Sequence, residues 1–154
     1  HLLSQAAGAT GMVGGQSLDF EAVGEQLTLE QLEQMHKLKT GALIRCAVLL
    51  GGMSAGSASE SQMSALADYA DNIGLAFQVQ DDILDVTSDT SQLGKPQGSD
   101  SDKNKPTYVS LLGIAQAKDL AASLSHRAIA ALEGFPASAD PLRELAAYVV
   151  SRLH

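Results

Sequence analysis

Residues 77–85 read Phe77-Gln78-Val79-Gln80-Asp81-Asp82-Ile83-Leu84-Asp85, so three carboxylates lie within an otherwise apolar stretch. At about 100° per residue on a helix, Gln78 and the three aspartates occupy an arc of roughly 100° on one face. The rest of that surface, from Ile73 to Val86, is mostly apolar, which is typical of a helix buried on nearly all sides. Because a buried carboxylate needs a cation or hydrogen bonds, the stretch predicts a buried helix that lines a polar cavity containing a cation.

Two capping boxes mark where the predicted helices begin. Thr28 with Gln31, and Ser59 with Gln62, have the spacing at which a side chain and a backbone N–H cap each other. They predict one helix that ends at Gly51-Gly52 and a second that carries the aspartates. Apolar residues recur at helical spacing elsewhere, and no run alternates with the period of two that is typical of a strand. We therefore predict an all-α helical bundle.

The composition limits the classes of protein that need to be considered. The chain has 154 residues, of which 45% are hydrophobic and 18% charged, and this suits one soluble domain with a substantial core. Its net charge of −8 makes nucleic acid an unexpected partner. Cys46 is the only cysteine, which excludes an internal disulfide and fits a reducing cytoplasm. The longest apolar run, Gly41 to Ala55, is too short to cross a bilayer.

The beginning of the sequence differs from that of a complete protein. His1 is not an initiator methionine, and the residues after it read as the interior of a helix without a cap. We therefore expect the chain to be a fragment of a longer protein.

Asp81, Asp82 and Asp85 are candidate metal ligands. Carboxylate oxygens suit hard cations, and Mg²⁺ commonly takes one or two carboxylates together with substrate phosphates. Asp81 and Asp85 lie one helical turn apart and could share an ion. The alternative is a solvated acidic face or a set of salt bridges, but the apolar flanks favour a metal site.

Lysines form a second candidate set. Lys39 and Thr40 lie where an amphipathic helix becomes almost wholly apolar, so the Lys39 ammonium group could meet phosphate oxygens. The alternative is a lysine whose stem packs while its head reaches water. Three more lysines, Lys95, Lys103 and Lys105, lie in a long polar segment that we predict as a loop, and they could bind phosphate as point charges. Ordinary solvated charge is the alternative for each of them.

Glu33-Gln34-Met35-His36 has the Glu-x-x-His spacing of di-iron helical bundles. Such a site needs a second copy of the motif, and the sequence contains none. We therefore interpret His36 as a surface residue or as one that supports a site without entering it.

Five segments, in their order along the chain, resemble those of the trans-prenyl diphosphate synthase family, most closely its bacterial farnesyl diphosphate synthases. The segments are Gly14 to Asp19, Lys37 to Leu43, Gly74 to Asp85, Leu93 to Pro96, and Lys103 to Tyr108. The resemblance covers the whole chain, but only the C-terminal half of the family's isoprenoid synthase fold. The family's first aspartate-rich motif, the arginines after it and the isopentenyl diphosphate site would lie before His1.

The resemblance implies a reaction and a role for each candidate residue. An allylic diphosphate, dimethylallyl or geranyl, would be condensed with isopentenyl diphosphate to farnesyl diphosphate by Mg²⁺-assisted ionisation, condensation and proton loss. Mg²⁺ would be held by Asp81 and Asp85, with Asp82 in support. The diphosphate would contact Lys39, Lys95 and Lys105, and Lys39, Thr40 and Gln78 would be catalytic. Gln16 and Asp19 would line the same cavity.

The resemblance further implies a homodimer, and from the composition we expect a cytoplasmic protein that neither inserts into membranes nor binds nucleic acid. The fragment alone should be inactive, because half of the metal site would be missing. Two alternatives stay open. One is a lyase similar to terpene cyclases, which would ionise the same substrate without a second one. The other is a helical interaction module without catalytic activity that happens to carry an acidic face.

Overall fold

The computed structural model describes residues 1–88 and 105–152, and this part of the chain consists of helices, turns and connecting segments without a strand. The all-α prediction is therefore confirmed for these residues. Lys95 and Lys103 lie outside them. The helices are α1 (Leu2–Ala7), α2 (Met12–Glu21), α3 (Leu29–His36), a π-helical turn (Lys37–Gly41), α4 (Ala42–Ser54), α5 (Glu60–Thr87), α6 (Tyr108–Leu112), α7 (Ile114–Ala131), a short 3₁₀ turn (Ala137–Ala139) and α8 (Asp140–Ser151).

The helix that carries the aspartates, α5, is the centre of the bundle. It begins at the predicted capping box, in which Ser59 and Gln62 each accept a hydrogen bond from the other's backbone N–H. It packs against α4, α7 and α8, and its apolar residues form the core with those of α7. The buried Tyr69 hydroxyl donates to the carbonyl oxygen of Leu142 at 2.8 Å, which fastens α8 to α5. The aspartates therefore lie on the most buried element of the described chain.

The helix predicted from Thr28 is interrupted and is longer than expected. Its capping box with Gln31 is confirmed, but a π-helical turn separates α3 from α4, and α4 continues to Ser54. The prediction that Gly51-Gly52 end this helix is wrong. A Cβ atom on Gly52 would lie 2.7 Å from Leu66 Cδ1, so the absence of a side chain there allows α4 to pack closely on α5. Tertiary packing thus outweighs the low helix propensity of glycine.

In the described ranges, no helix combines the length and the apolar character that crossing a membrane requires.

Candidate functional site

The π-helical turn lies against α2 with almost no space between the two backbones. A Cβ atom on Gly15 of α2 would lie 2.6 Å from Lys39 Cα and 2.8 Å from Leu38 C. Only glycine permits this approach. π-Helical turns are often found at functional sites, and here the turn places Lys39 and Thr40 between α2 and α5.

Asp19, one helical turn after Gly15, collects two lysine side chains. Its Oδ2 atom accepts hydrogen bonds from Lys39 Nζ at 2.9 Å and from Lys105 Nζ at 2.8 Å, and its Oδ1 accepts from Lys105 Nζ at 2.9 Å. Asp19 is 9% exposed. Burial alone would raise the pKa of this carboxyl, but the hydrogen bonds and charges of Lys105 and Lys39 lower it below its ordinary value. Asp19 is therefore ionised at neutral pH and links two residues that the sequence predicted to bind phosphate.

A second chain of hydrogen bonds begins at Thr40, the residue after Lys39. Its hydroxyl donates to Gln78 Oε1 at 3.2 Å, and Gln78 Nε2 donates to Asp82 Oδ1 at 3.2 Å. The other oxygen of Asp82 accepts from the backbone N–H of Tyr108 at 2.8 Å. Asp82 is buried and satisfies an N–H at the start of α6. It therefore fixes the chain three residues after Lys105.

The other two aspartates have different surroundings. Asp85 is buried. The side chain of Asp81 is 40% exposed and forms an ion pair with Arg152. The Arg152 guanidinium also lies over the Phe77 ring, 4.2 Å from its centroid, and its Nη2 donates to the Phe77 carbonyl oxygen at 3.3 Å. The residue after α8 is therefore fastened to the aspartate-bearing helix.

The carboxylates do not form a closed protein cage for an ion. Within residues 1–88 and 105–152, no three His, Cys, Asp or Glu side chains lie close enough together to hold a metal. The donor set consists of carboxylate oxygens, and hard cations such as Mg²⁺ often take only one or two of them, with the remaining ligands from water and phosphate. The residues thus fit an open Mg²⁺ site better than a dedicated one.

His36 lies behind the lysines, against Tyr108. Their ring centroids are 5.4 Å apart, and both residues are buried. Neither His36 Nδ1 nor the Tyr108 hydroxyl has a hydrogen-bond partner in the described structure. Burial, followed by the charge of Lys39, lowers the pKa of His36 to about 4. His36 is therefore neutral and buried, so its interpretation as a surface residue is wrong, and its interpretation as a supporting residue stays a prediction.

The predicted site residues fall into three groups. Two hydrogen-bonded chains, which start at adjacent positions of the π-helical turn, contain Asp19, Lys39, Lys105, Thr40, Gln78 and Asp82. Asp81 and Asp85 lie on the same helix as Gln78 and Asp82. Gln16 is exposed on α2, and its role stays a prediction, as does that of Lys95.

No sequence pattern predicted a role for Arg152. It lies 71 residues from Asp81, near the C-terminal end of the chain, and no motif surrounds it. Only the packing of α8 on α5 brings the two side chains together. A basic residue just after the last amphipathic helix was the single available signal.

Comparisons with known proteins agree with this arrangement. Residues 1–135 match the sequence model of the polyprenyl synthetase family. The farnesyl diphosphate synthase of Escherichia coli is 46% identical over 153 residues, which is 97% of this chain and 51% of that protein. The chain thus spans about half the length of the curated relatives it matches.

Two solved structures have the same fold. A geranyltransferase from Helicobacter pylori, complexed with magnesium and isoprenyl diphosphate, superposes with a TM-score of 0.82 at 33% identity, over 97% of this chain and 49% of that one. A polyprenyl synthase from Caulobacter crescentus, complexed with calcium and isoprenyl diphosphate, superposes with a TM-score of 0.91 at 28% identity, over 99% of this chain and 58% of that one.

Proposed function

Because the chain belongs to the polyprenyl synthetase family, we propose that it is the C-terminal half of a prenyltransferase. The complete enzyme condenses dimethylallyl or geranyl diphosphate with isopentenyl diphosphate to give farnesyl diphosphate. The observation that carries this proposal is the convergence of Lys39 and Lys105 on Asp19, where the π-helical turn packs against the aspartate-bearing helix. Two ammonium groups next to carboxylates suit a diphosphate that is shared between lysines and metal ions.

The side chains have distinct tasks in this proposal. Lys39 and Lys105 donate to diphosphate oxygens, and Lys95 joins them. Thr40 and Gln78 place oxygen dipoles next to the allylic cation. Their hydrogen bond to each other, and that of Gln78 to Asp82, support these orientations. The apolar residues that form the core around α5 would keep out water, which would otherwise react with the cation.

Asp81 and Asp85 are the proposed ligands of Mg²⁺, and Asp82 supports them. Magnesium bound there would stabilise the negative charge that develops on the departing diphosphate. The hydrogen bonds of Asp82 to Gln78 and to the Tyr108 N–H suit a supporting role. Asp81 is a half-exposed carboxylate, which suits direct coordination of Mg²⁺.

We also propose that the complete protein is a cytoplasmic homodimer. Several large apolar side chains of α1, α2 and the turn after α2 are exposed, namely Leu3, Val13, Leu18, Phe20 and Val23. A surface of this kind needs a cover, which the rest of the protein or a second copy would supply. The comparisons favour neither a lyase nor a non-catalytic interaction module.

An Asp81→Asn variant of the complete protein tests the proposal. We expect farnesyl diphosphate formation from geranyl and isopentenyl diphosphates in Mg²⁺ to fall by about a hundredfold or more, as when a transition-state contact is lost. Asp71→Asn is the matched control, because Asp71 lies on the same helix but pairs with Arg45 on the surface. Full activity of Asp81→Asn would contradict the proposal. Consumption of the allylic substrate without incorporation of isopentenyl diphosphate would instead indicate a lyase.

A further inference from the structure

Asp19 holds together two lysines from distant parts of the chain. Lys39 is 20 residues from Asp19 and Lys105 is 86 residues away, yet both Nζ atoms lie within 2.9 Å of the same Oδ2 atom. The Lys39 and Lys105 side chains are 35% and 24% exposed, so each has a path to water. Without a shared anion, mutual repulsion and side-chain entropy would favour their separation.

The helix that carries Asp19 also fixes the backbone of Lys39. Gly15, one turn earlier on α2, lets the two backbones touch at Lys39. Asp19 then holds the ammonium end of the same side chain. One face of α2 therefore restrains Lys39 at both ends.

Lys105 is restrained in a similar way. Three residues later, the backbone N–H of Tyr108 donates to Asp82, and the Thr107 hydroxyl caps α6. Asp19 again holds the ammonium end. Both lysines thus have a fixed backbone and a fixed head, and the head is fixed by the same carboxylate.

We propose that Asp19 is a positioning residue, which gathers the Lys39 and Lys105 ammonium groups before a diphosphate arrives. This inference rests on the proposed function, in which the two lysines bind diphosphate. An ammonium group has three N–H donors, and Lys39 gives only one of them to Asp19. Asp19, Lys39 and Lys105 together keep a net positive charge, so donors and charge remain for phosphate oxygens. Asp19 itself acts only through the lysines.

The test is the affinity of the complete protein for inorganic pyrophosphate with Mg²⁺, measured by calorimetry. We expect Asp19→Asn to weaken binding about tenfold, because two mobile lysines must then be ordered during binding. The KM for the allylic diphosphate should rise by a similar factor with little change in kcat. In a Lys39→Ala background, Asp19→Asn should cost less binding than in the unsubstituted protein, because only Lys105 is then left for Asp19 to hold.

Asp71→Asn serves as the matched control, because it also removes a carboxylate from an ion pair and should leave binding unchanged. The proposal for Asp19 is overturned if Asp19→Asn binds pyrophosphate as tightly as the unsubstituted protein, or if its loss adds fully to that of Lys39→Ala. If Lys39→Ala and Lys105→Ala leave binding unchanged, the proposed function fails, and the role of Asp19 fails with it.

A measurement on the unsubstituted protein covers the case in which Asp19→Asn does not fold. Nitrogen-15 NMR of the lysine side chains, without ligand, should contain two ammonium signals with slowed hydrogen exchange, and Lys39→Ala and Lys105→Ala should each remove one. The absence of such signals would overturn the proposal, because the lysines would then not be held together before a ligand binds.

Discussion

The charge state of His36 links the stability of the described structure to pH. Its pKa is about 4 in the folded protein and 6.5 in the unfolded chain, because burial and then the charge of Lys39 oppose protonation. Between these values the unfolded chain binds a proton that the folded protein does not bind. The free energy of unfolding therefore falls as the pH is lowered through this range, by about 2 kcal/mol at pH 5.

We expect urea unfolding to reveal this dependence. The midpoint for the unsubstituted protein should be lower at pH 5 than at pH 7.5, and a His36→Gln variant should lose most of that difference. Asp19 affects stability at lower pH. Because the pKa of its carboxyl is lowered from 3.8 in the folded protein, its contribution to stability is fully present above pH 3.8 and is lost as the pH falls below that value. If the urea midpoints of the unsubstituted protein and of His36→Gln changed equally with pH, the role of His36 would be contradicted.

Arg152 allows a second test at the scale of single residues. Its guanidinium pairs with Asp81, so it would compete with Mg²⁺ if Asp81 binds the ion as proposed. We therefore expect Arg152→Gln to increase the affinity of the complete protein for Mg²⁺ in the presence of pyrophosphate. The increase should be up to about fivefold, since an ion pair whose carboxylate is 40% exposed contributes about 1 kcal/mol at most.

Calorimetric titration with Mg²⁺ would measure this change. Arg127→Gln is a suitable control, because Arg127 is exposed on α7. Unchanged or weaker Mg²⁺ binding by Arg152→Gln would show that the guanidinium does not compete with the ion.

At the scale of elements, the contact between α2 and the π-helical turn leaves no room for a side chain at Gly15. A methyl group on Gly15 would overlap the backbone of Lys39 and force the two elements apart. We expect Gly15→Ala to lower the free energy of unfolding by about 1–3 kcal/mol, the usual cost of overpacking, and to weaken pyrophosphate binding.

Gly51→Ala is the matched control for Gly15→Ala. A Cβ atom on Gly51 would meet nothing within 4 Å, and the residue lies within α4. This variant should be neutral, or more stable by up to about 1 kcal/mol. Thermal and urea unfolding of both variants would show whether Gly15→Ala lowers the free energy of unfolding because of the close contact rather than because a glycine is lost.

The elements also show how far the sequence could predict the structure. The capping boxes at Thr28 and Ser59 were predictable, because they join residues only three apart. The hydrogen bond between Gln78 and Asp82 joins residues four apart and is also local. The partners of Asp19 lie 20 and 86 residues away, so only the folded chain brings them together. The prediction that the helix ends at Gly51-Gly52 failed, because local propensity carries no information about the packing of Gly52 on Leu66.

At the scale of the whole molecule, α1 and α2 carry large apolar side chains that are exposed in the described structure. Phe20 is 70% exposed, Leu3 56% and Val13 52%. We expect residues 1–154, expressed alone, to self-associate and to bind an apolar dye, and to lack prenyltransferase activity. The complete protein should bind less dye per chain. Light scattering measures the self-association, dye fluorescence measures the exposed apolar surface, and an assay for farnesyl diphosphate measures the activity. A monomeric and catalytically active protein of residues 1–154 would contradict this prediction.

The π-helical turn also affects how related sequences should be aligned. It holds about one residue more than an α-helical turn within a similar rotation, so each of its residues turns the helix by less than the about 100° of an α-helix. Deleting one residue from Lys37–Gly41 would produce a more regular helix in which α4 keeps nearly the same orientation relative to α3, with Cys46 still buried. The extra residue therefore shifts the apolar pattern by one position between α3 and α4. A one-residue gap at this point in a relative would mark a protein that lacks the π-helical turn but presents the same face of α4 to α5.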